Sequence, residues 1–170
     1  FLSDIHANID AFTAVLEAID RDAIDKIYIA GDLVGYYYHP DKVIDICMSR
    51  DDIHCIRGNH DRNFLKGLNY KSFMTKMIKK YGSSYRIAQE KLSDKQVVWL
   101  KSLPTSLEFT MEQVTITIAH GSINSEDEYI YPSKKSIDLL KQLSNSEYTI
   151  LGHTHHPFVW CNENRWLVSP

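Results

Sequence analysis

Apolar residues follow two spacings along the chain, one typical of helices and the other of strands. Near the start they recur at helical intervals, at Ile9, Phe12, Leu16 and Ile19. This stripe predicts an amphipathic helix. The run VTITIA at 114–119 is rich in β-branched residues instead, and it predicts a strand.

The remaining segments divide in the same way. Further strands are predicted at 26–30, 53–56 and 148–151, and a hairpin at 158–161 with 166–168. Further helices are predicted at 41–49, 69–103 and 133–143, with breaks in the long stretch near Gly82 and at Ser93. Because strands alternate with helices, the sequence predicts an α/β sandwich.

Composition narrows the class of protein. The chain has 170 residues, 44% hydrophobic and 24% charged, which is typical of one globular domain. The formal net charge of −3 argues against nucleic acid as a partner, since such modules carry a basic excess. No apolar run is long enough to span a bilayer. The three cysteines (Cys47, Cys55, Cys161) form no CxxC pair, so we expect no disulfides, no cysteine metal site and a cytoplasmic location.

Metal-binding residue types follow the predicted strands. They are Asp4 and His6, Asp32, Asn59 and His60, His120, and His153 and His155. In open α/β sheets, ligands bind outside the carboxyl ends of the strands, so these side chains should meet at one rim. Taken alone, DxH and GD are weak evidence, GNHD is better, and GHTH is the strongest. Gly31-Asp32, for example, is ordinary turn chemistry, and a His-x-His pair is often incidental.

The motifs together carry a resemblance. In chain order they read DxH, GD, GNHD, His-Gly and GHTH. This set resembles the calcineurin-like metallophosphoesterases over essentially all 170 residues, and within them the small prokaryotic type. The loop 31–36, the run 119–122 and the pair Glu128-Tyr129 carry that closer resemblance. The resemblance implies an α/β sandwich with mixed sheets flanked by helices, and a metal site at the C-terminal strand ends.

The resemblance also implies a role for each motif residue. Asp4 and His6 would bind a first metal ion, and Asp32 would bridge it to a second. The remaining ligands would be Asn59, His120 and His153 on the second ion, and His155 on the first. His60 would not be a ligand, but would face the leaving group as the catalytic residue.

The chemistry of this ligand set supports the assignment. Carboxylate, amide and imidazole ligands without thiolate suit Mn, Fe, Zn or Ni, so we expect two divalent ions as cofactors, with Mn favoured in vitro. Two such ions activate a bridging hydroxide and clamp both the attacking and the leaving oxygens. The mechanistic hypothesis has this hydroxide attack phosphorus directly. His60, as imidazolium, stabilises the transition state or protonates the departing oxygen.

Two departures from the superfamily pattern limit the assignment. Protein Ser/Thr phosphatases carry a further Asp-Arg-Gly and a Glu after GNH, whereas this chain has 35–37 (GYY) and Asp61 at those places. A protein phosphatase is therefore disfavoured. The group that orients His60 is left open, with Asp61 a neighbouring candidate. Tyr36, Arg57 and Asp61 are candidate substrate contacts, although Tyr36 also suits plain packing and Arg57 a pairing with an acid.

Domain organisation follows from the ends of the sequence and from one internal stretch. Phe1-Leu2 resembles the end of a strand, and no element closes the fold after 168–170. We therefore expect a single domain over 1–170 that lacks the start of its first strand and its C-terminal strands. The helical stretch 70–103 is expected to be an insertion that caps the rim of the site and sets substrate choice.

The resulting functional hypothesis is a hydrolase for a phosphodiester or phosphomonoester, with the phosphodiester favoured. The expected partner is a small phosphoester, and nucleotide-derived compounds are included because tyrosines can stack on a nucleobase. The alternative is a non-catalytic scaffold of the same fold, resembling a retromer subunit that binds protein partners. The presence of His60 and of all seven ligand positions favours the enzyme.

Overall fold

The computed structural model describes the backbone of residues 1–170 and their side chains except those of 136 and 137. The helices are α1 Ile9–Arg21, α2 Pro40–Ser49, α3 Asn59–Asn69, α4 Lys71–Tyr81, α5 Ser84–Lys91, α6 Asp94–Ser102 and α7 Ser136–Leu140. The strands are β1 Ile27–Ile29, β2 Ile53–Cys55, β3 Ser106–Met111, β4 Val114–Ala119, β5 Tyr148–Leu151, β6 Phe158–Asn162 and β7 Arg165–Ser169.

The strands form two sheets. In the first, β1 pairs in parallel with β2, and Leu2 forms a parallel bridge to Ile29 on the other side of β1. The second sheet has the order β3-β4-β5-β7-β6. Its three central strands are parallel and both outer pairs are antiparallel. The prediction of an α/β fold with mixed sheets flanked by helices is therefore confirmed.

Apolar side chains fill three layers between these elements. Ala30, Ile56, Ile118 and Ile150 are buried between the two sheets. On the outer face of the first sheet, β1 and β2 pack against α1–α6. On the outer face of the second sheet, buried leucines of β5, β7 and α7 pack together. This stacking aligns the carboxyl ends of β1, β2, β4 and β5 along one edge.

Capping explains where several helices begin. The Asn8 side chain accepts a hydrogen bond from the Ala11 backbone N–H at 3.2 Å, which caps α1. Pro40 occupies the first position of α2. At α6, Ser93 and Gln96 form the reciprocal pair that a capping box requires. The long helical stretch divides into α4, α5 and α6, with breaks where Gly82 and Ser93 predicted them.

Two elements were not predicted, and both depend on contacts that sequence patterns do not show. The segment of α3 is polar, but the helix buries Phe64 in the core. Strand β3 pairs with β4 across a turn in which Glu112 and Gln113 both have positive φ, 49° and 72°. Such a turn usually carries Asn-Gly, so Glu-Gln gave no hairpin signal. Helix α7 is also shorter than the predicted 133–143.

The structure also bears on two predictions made from composition. In the part of the chain that the structure describes, the helices lack the combination of length and apolar character needed to cross a bilayer. The three cysteines are free, with Cys47 and Cys55 buried and Cys161 exposed.

Candidate metal centre

The predicted ligands converge at the aligned strand ends in two clusters. Asp4, His6 and His155 form the first, which we call the open cluster. Asp32, His120 and His153 form the second, which we call the buried cluster. Within each cluster the ligand atoms lie within 4.8 Å of one another. Segments far apart in sequence meet here.

In the open cluster, three ligand atoms face one another. The Nε2 atoms of His6 and His155 are 3.1 Å apart. Asp4 Oδ1 lies 3.3 Å from His155 Nε2 and 3.8 Å from His6 Nε2. The side chain of His155 is half exposed, so this cluster opens to solvent.

The buried cluster is more enclosed. His120 Nε2 lies 2.9 Å from Asn59 Oδ1 and 3.2 Å from Asp32 Oδ2. The ring of His153 packs beside that of His120, with centroids 5.1 Å apart. All four residues are buried, so any charge among them must be balanced within the site.

Asp32 connects the two clusters. Its Oδ2 lies 3.2 Å from His120 Nε2 and 3.7 Å from His6 Nε2. Its Oδ1 accepts a hydrogen bond from the His60 backbone N–H at 2.7 Å, which orients the carboxylate. A single oxygen of Asp32 thus faces both clusters.

Backbone carbonyls hold two of the imidazoles. His6 Nδ1 lies 3.0 Å from the Val34 carbonyl oxygen, and His120 Nδ1 lies 2.7 Å from that of Ala30. A carbonyl only accepts, so each Nδ1 carries the donated hydrogen. This arrangement turns both Nε2 atoms toward the clusters, as metal-binding histidines require.

Within the two clusters, two buried ligand atoms accept no hydrogen bond from the described residues. They are Asp4 Oδ1 and His153 Nε2. The other oxygen of Asp4 accepts hydrogen bonds from the Ser3 hydroxyl at 2.6 Å and the His153 backbone N–H at 2.9 Å. Unsatisfied buried polar atoms are rare and require an explanation. A cation in each cluster would satisfy these two, so the residues present fit a pair of divalent ions.

Backbone strain concentrates at the same place. Five of the seven candidate ligands have positive φ between 50° and 69°, namely Asp4, His6, Asp32, His153 and His155. Residues other than glycine rarely occupy this region, and those that do cluster at functional sites.

Electrostatics keeps two of the imidazoles neutral and a third protonated near pH 7. Burial lowers the pKa of His6 and of His153, which keeps both rings neutral with a free lone pair. Burial also acts to lower the pKa of His120, but the carboxylates of Asp32 and Asp4 raise it to about 9. Metal binding would therefore displace a proton from His120.

His60 lies beside both clusters at the start of α3, with its ring 5.0 Å from that of His6. Burial lowers the pKa of His60 to about 4, so the ring is neutral near pH 7 rather than the imidazolium of the mechanistic hypothesis. Its Nδ1 lies 3.0 Å from the hydroxyl of Tyr85, a buried residue of α5. Tyr85 belongs to no motif, so sequence reasoning had no signal for it.

The three candidate substrate contacts occupy different environments. Asp61 is fully buried, and its carboxylate accepts hydrogen bonds from three backbone N–H groups, those of Gly58, Leu33 and Val34. Burial and the nearby Asp32 raise the pKa of Asp61 to about 7, against the effect of these donors. Asp61 therefore braces the loops that carry Asp32 and Asn59, and does not face the cleft.

The other two candidates, Arg57 and Tyr36, also lie in different surroundings. Arg57 Nε lies 3.8 Å from Glu126 Oε1, in an ion pair at the side of the site. Tyr36 is 43% exposed, and its ring lies 4.5 Å from that of His6 and 4.8 Å from that of His60. It lines an open cleft of about 660 Å³ together with residues of the open cluster.

Tyr129 forms a second aromatic wall that sequence reasoning did not assign to the site. Its ring stacks on His153 at 4.0 Å and is 49% exposed. The ring of Tyr131 stacks on Tyr129 at 5.7 Å. Aromatic faces therefore flank the clusters on two sides.

Comparisons with known proteins identify a family and a fold. The family model for the calcineurin-like phosphoesterase superfamily domain matches residues 1–170. The protein MJ0912 of Methanocaldococcus jannaschii is 29% identical over 175 residues, which cover 98% of this chain and 66% of that protein. The chain thus spans slightly less than two thirds of that relative.

Two further proteins are similar over different extents. A symmetrical bis(5'-nucleosyl)-tetraphosphatase of Delftia acidovorans is 39% identical over 66 residues, which are 38% of this chain and 24% of that protein. The crystal structure of PH1004 from Pyrococcus horikoshii has a TM-score of 0.86 at 22% identity, and the match covers 99% of this chain and 74% of that one.

Proposed function

Since the chain belongs to the calcineurin-like phosphoesterase superfamily, we propose that it is a metal-dependent phosphoester hydrolase that holds two divalent ions in its paired clusters. The observation that carries the proposal is Asp32 Oδ2, which lies 3.2 Å from a ligand atom of the buried cluster and 3.7 Å from one of the open cluster. A carboxylate oxygen in that position suits a ligand shared by two cations.

The proposal assigns each side chain to an ion. Asp4, His6 and His155 hold the first, and Asp32 is shared by both. The second is held by Asn59, His120 and His153. Two ions in such a site supply Lewis acidity and an activated water for attack on phosphorus. Oxygen and imidazole ligands without thiolate favour Mn, Fe, Zn or Ni, and we choose Mn for assays.

His60 is the proposed catalytic side chain that is not a ligand. It lies next to Asn59 in sequence and beside His6 in space. From there the Nε2–H group can donate a hydrogen bond to the departing oxygen, where negative charge develops as the ester bond breaks. Among the described side chains, none bonds His60 Nε2, so this atom is free to contact substrate.

The proposed substrate is a nucleotide-derived phosphodiester or phosphoanhydride. The Delftia relative, whose name denotes hydrolysis of bis-nucleosyl tetraphosphates, supports this class. The structure adds exposed tyrosine rings on two sides of the clusters, Tyr36 and Tyr129. Stacking of a base on an aromatic ring contributes about 1–3 kcal/mol, enough to select nucleotides over simple esters.

A hydrolysis panel tests the proposal. The protein, purified without metal and supplied with Mn²⁺, is incubated with aryl phosphomonoesters, aryl phosphodiesters, cyclic nucleotides and dinucleoside polyphosphates. We expect turnover of a diester or a dinucleoside polyphosphate, and loss of turnover in Asp32→Ala. The matched control is Asp10→Ala, which removes an exposed carboxylate of α1. If the metal-loaded protein turns over none of these compounds, the non-catalytic scaffold is the better hypothesis.

A further inference from the structure

The stretch 70–103 contributes a side chain to the site. Tyr85 of α5 is 1% exposed, and its hydroxyl lies 3.0 Å from His60 Nδ1. The phenol packs in the main core, so it is held by the helices around it rather than by the site. Burial raises its pKa, which keeps the hydroxyl protonated and able to donate.

The distances favour Tyr85 as the donor of this hydrogen bond. The other acceptor near the Tyr85 hydroxyl is the His60 backbone carbonyl, at 3.4 Å. The 3.0 Å to Nδ1 lies at the upper limit of the usual range for a hydroxyl donor and the 3.4 Å to the carbonyl lies beyond it, so we take His60 Nδ1 as the acceptor. A neutral imidazole carries one hydrogen, and a ring that accepts at Nδ1 carries it on Nε2.

The ring of His60 is also fixed from its other sides. Gly35 has φ +95°, and a Cβ atom built there would lie 2.5 Å from His60 Nδ1. Glycine at this position therefore leaves room for the ring. Tyr81 packs against the ring with a centroid distance of 4.6 Å. These contacts restrict rotation of the ring, so the Tyr85 hydroxyl meets Nδ1 rather than Nε2.

We propose that Tyr85 is a positioning residue that holds the His60 hydrogen on Nε2, where it faces the departing oxygen of the substrate. This proposal rests on the proposed function, because it assumes that His60 contacts the leaving group. Without the tyrosine hydroxyl, the hydrogen is free to move to Nδ1. The Nε2 lone pair would then face an anionic oxygen and repel it.

Through Tyr85, the helical stretch 70–103 becomes part of the catalytic machinery. In this chain a tyrosine occupies the place beside His60 Nδ1, while the neighbouring acid, Asp61, binds backbone N–H groups instead. The orienting group thus comes from α5, 25 positions away in sequence. A merely structural Tyr85 would support folding but would not affect which nitrogen of His60 carries hydrogen.

Kinetics with two leaving groups provide the first test. The substrates are the 4-nitrophenyl and phenyl esters of whichever phosphoester class the wild-type protein hydrolyses. The 4-nitrophenolate ion leaves readily without assistance, whereas phenolate needs a donor. We expect Tyr85→Phe to lower kcat for the phenyl ester by about 10–100-fold, with KM and the rate for the nitrophenyl ester within about threefold of wild type. The matched control is Tyr81→Phe, which alters a tyrosine that contacts the same ring without a hydrogen bond to it.

NMR provides the second test and needs no turnover. In metal-free protein labelled with ¹⁵N-histidine, we expect His60 to show the Nε2–H tautomer in the wild type and in Tyr81→Phe, and a mixture in Tyr85→Phe. The proposal is overturned if Tyr85→Phe retains that tautomer, or if both tyrosine variants affect the two esters alike. If Tyr85→Phe fails to fold, an Nδ1–H tautomer in the wild type overturns it. Lack of any wild-type turnover would instead contradict the proposed function, and the spectrum would still decide the role of Tyr85.

Discussion

The two ligand clusters differ most in their access to solvent. In the open cluster the His155 side chain is 50% exposed and that of Asp4 is 10% exposed. In the buried cluster the side chains of His120 and Asp32 are 0% and 1% exposed. Both contain a carboxylate and imidazoles, so their chemistry is similar while their solvation is not. Without an ion, water can hydrate the ligand atoms of the open cluster. The ligand atoms of the buried cluster have little access to water.

This difference in exposure predicts a difference in metal affinity between the two clusters. A buried carboxylate and imidazole are costly to leave without a cation, so the buried cluster should hold its ion more tightly. The open cluster lines the cleft beside Tyr36, which is the proposed entrance for substrate. We expect its ion to exchange more readily. Substitutions in the two clusters test this contrast.

Asp32→Ala should have the largest effect, because Asp32 Oδ2 faces both clusters. We expect the loss of both ions and of measurable hydrolysis. Metal analysis after dialysis against Mn²⁺ checks this, with Asp32→Asn as the companion variant that keeps the side-chain shape. Retention of two full equivalents of metal in Asp32→Ala would exclude the shared role.

His60→Ala should leave the contrast between the clusters intact and affect only the rate. His60 donates no ligand atom in the proposal, so both ions should remain. We expect kcat to fall by about 10²–10³-fold, the usual cost of removing one hydrogen-bond donor that faces developing negative charge. Metal content and kinetics measured on the same sample check this. Loss of an ion would mean that His60 is a ligand.

Replacing one histidine of each cluster by alanine compares the two clusters directly. His155→Ala should release the ion of the open cluster and retain the other, whereas His120→Ala should disturb the buried ion. We expect each variant to lose at least about 10-fold in affinity for its own ion, since even outer-sphere partners contribute that much. Calorimetric titration with Mn²⁺ measures both affinities in each variant. Equal losses at both sites in both variants would show that the clusters do not act separately.

The smallest effect on stability is expected from a group of partly exposed charges at the surface. Arg50 Nη2 lies 2.7 Å from Asp20 Oδ1 and 2.6 Å from Asp52 Oδ2, and these hydrogen bonds lower the pKa of both carboxyls. A lowered folded pKa stabilises the protein above the unfolded value of about 3.9, and this stabilisation is lost as the pH falls through the folded value.

We therefore expect the melting temperature of the wild type to fall more steeply below about pH 4 than that of Arg50→Gln. Thermal melts at several pH values, at low and high salt, measure the difference. Salt should reduce it, because exposed pairs are screened. Identical pH profiles for the two proteins would show that the pairs do not contribute to stability.

Sequence patterns predicted most of the regular elements. They missed β3, because that strand depends on its pairing with β4 rather than on its own composition. The breaks near Gly82 and Ser93 were visible because glycine and a capping serine act locally. The hairpin turn at 112–113 was not, because neither Glu nor Gln favours positive φ. That turn forms because β3 gains a full register of pairs with β4.

Residue type and order by themselves determined that metal-binding side chains follow successive strands, and hence that they would share one rim of an α/β fold. This holds because the carboxyl ends of parallel strands meet at one edge. Only the tertiary structure decided which atoms face each other. His6 and His155 are 149 positions apart, and Tyr85 reaches His60 through a helix without any motif. Such contacts depend on packing between distant segments, which local spacing does not encode.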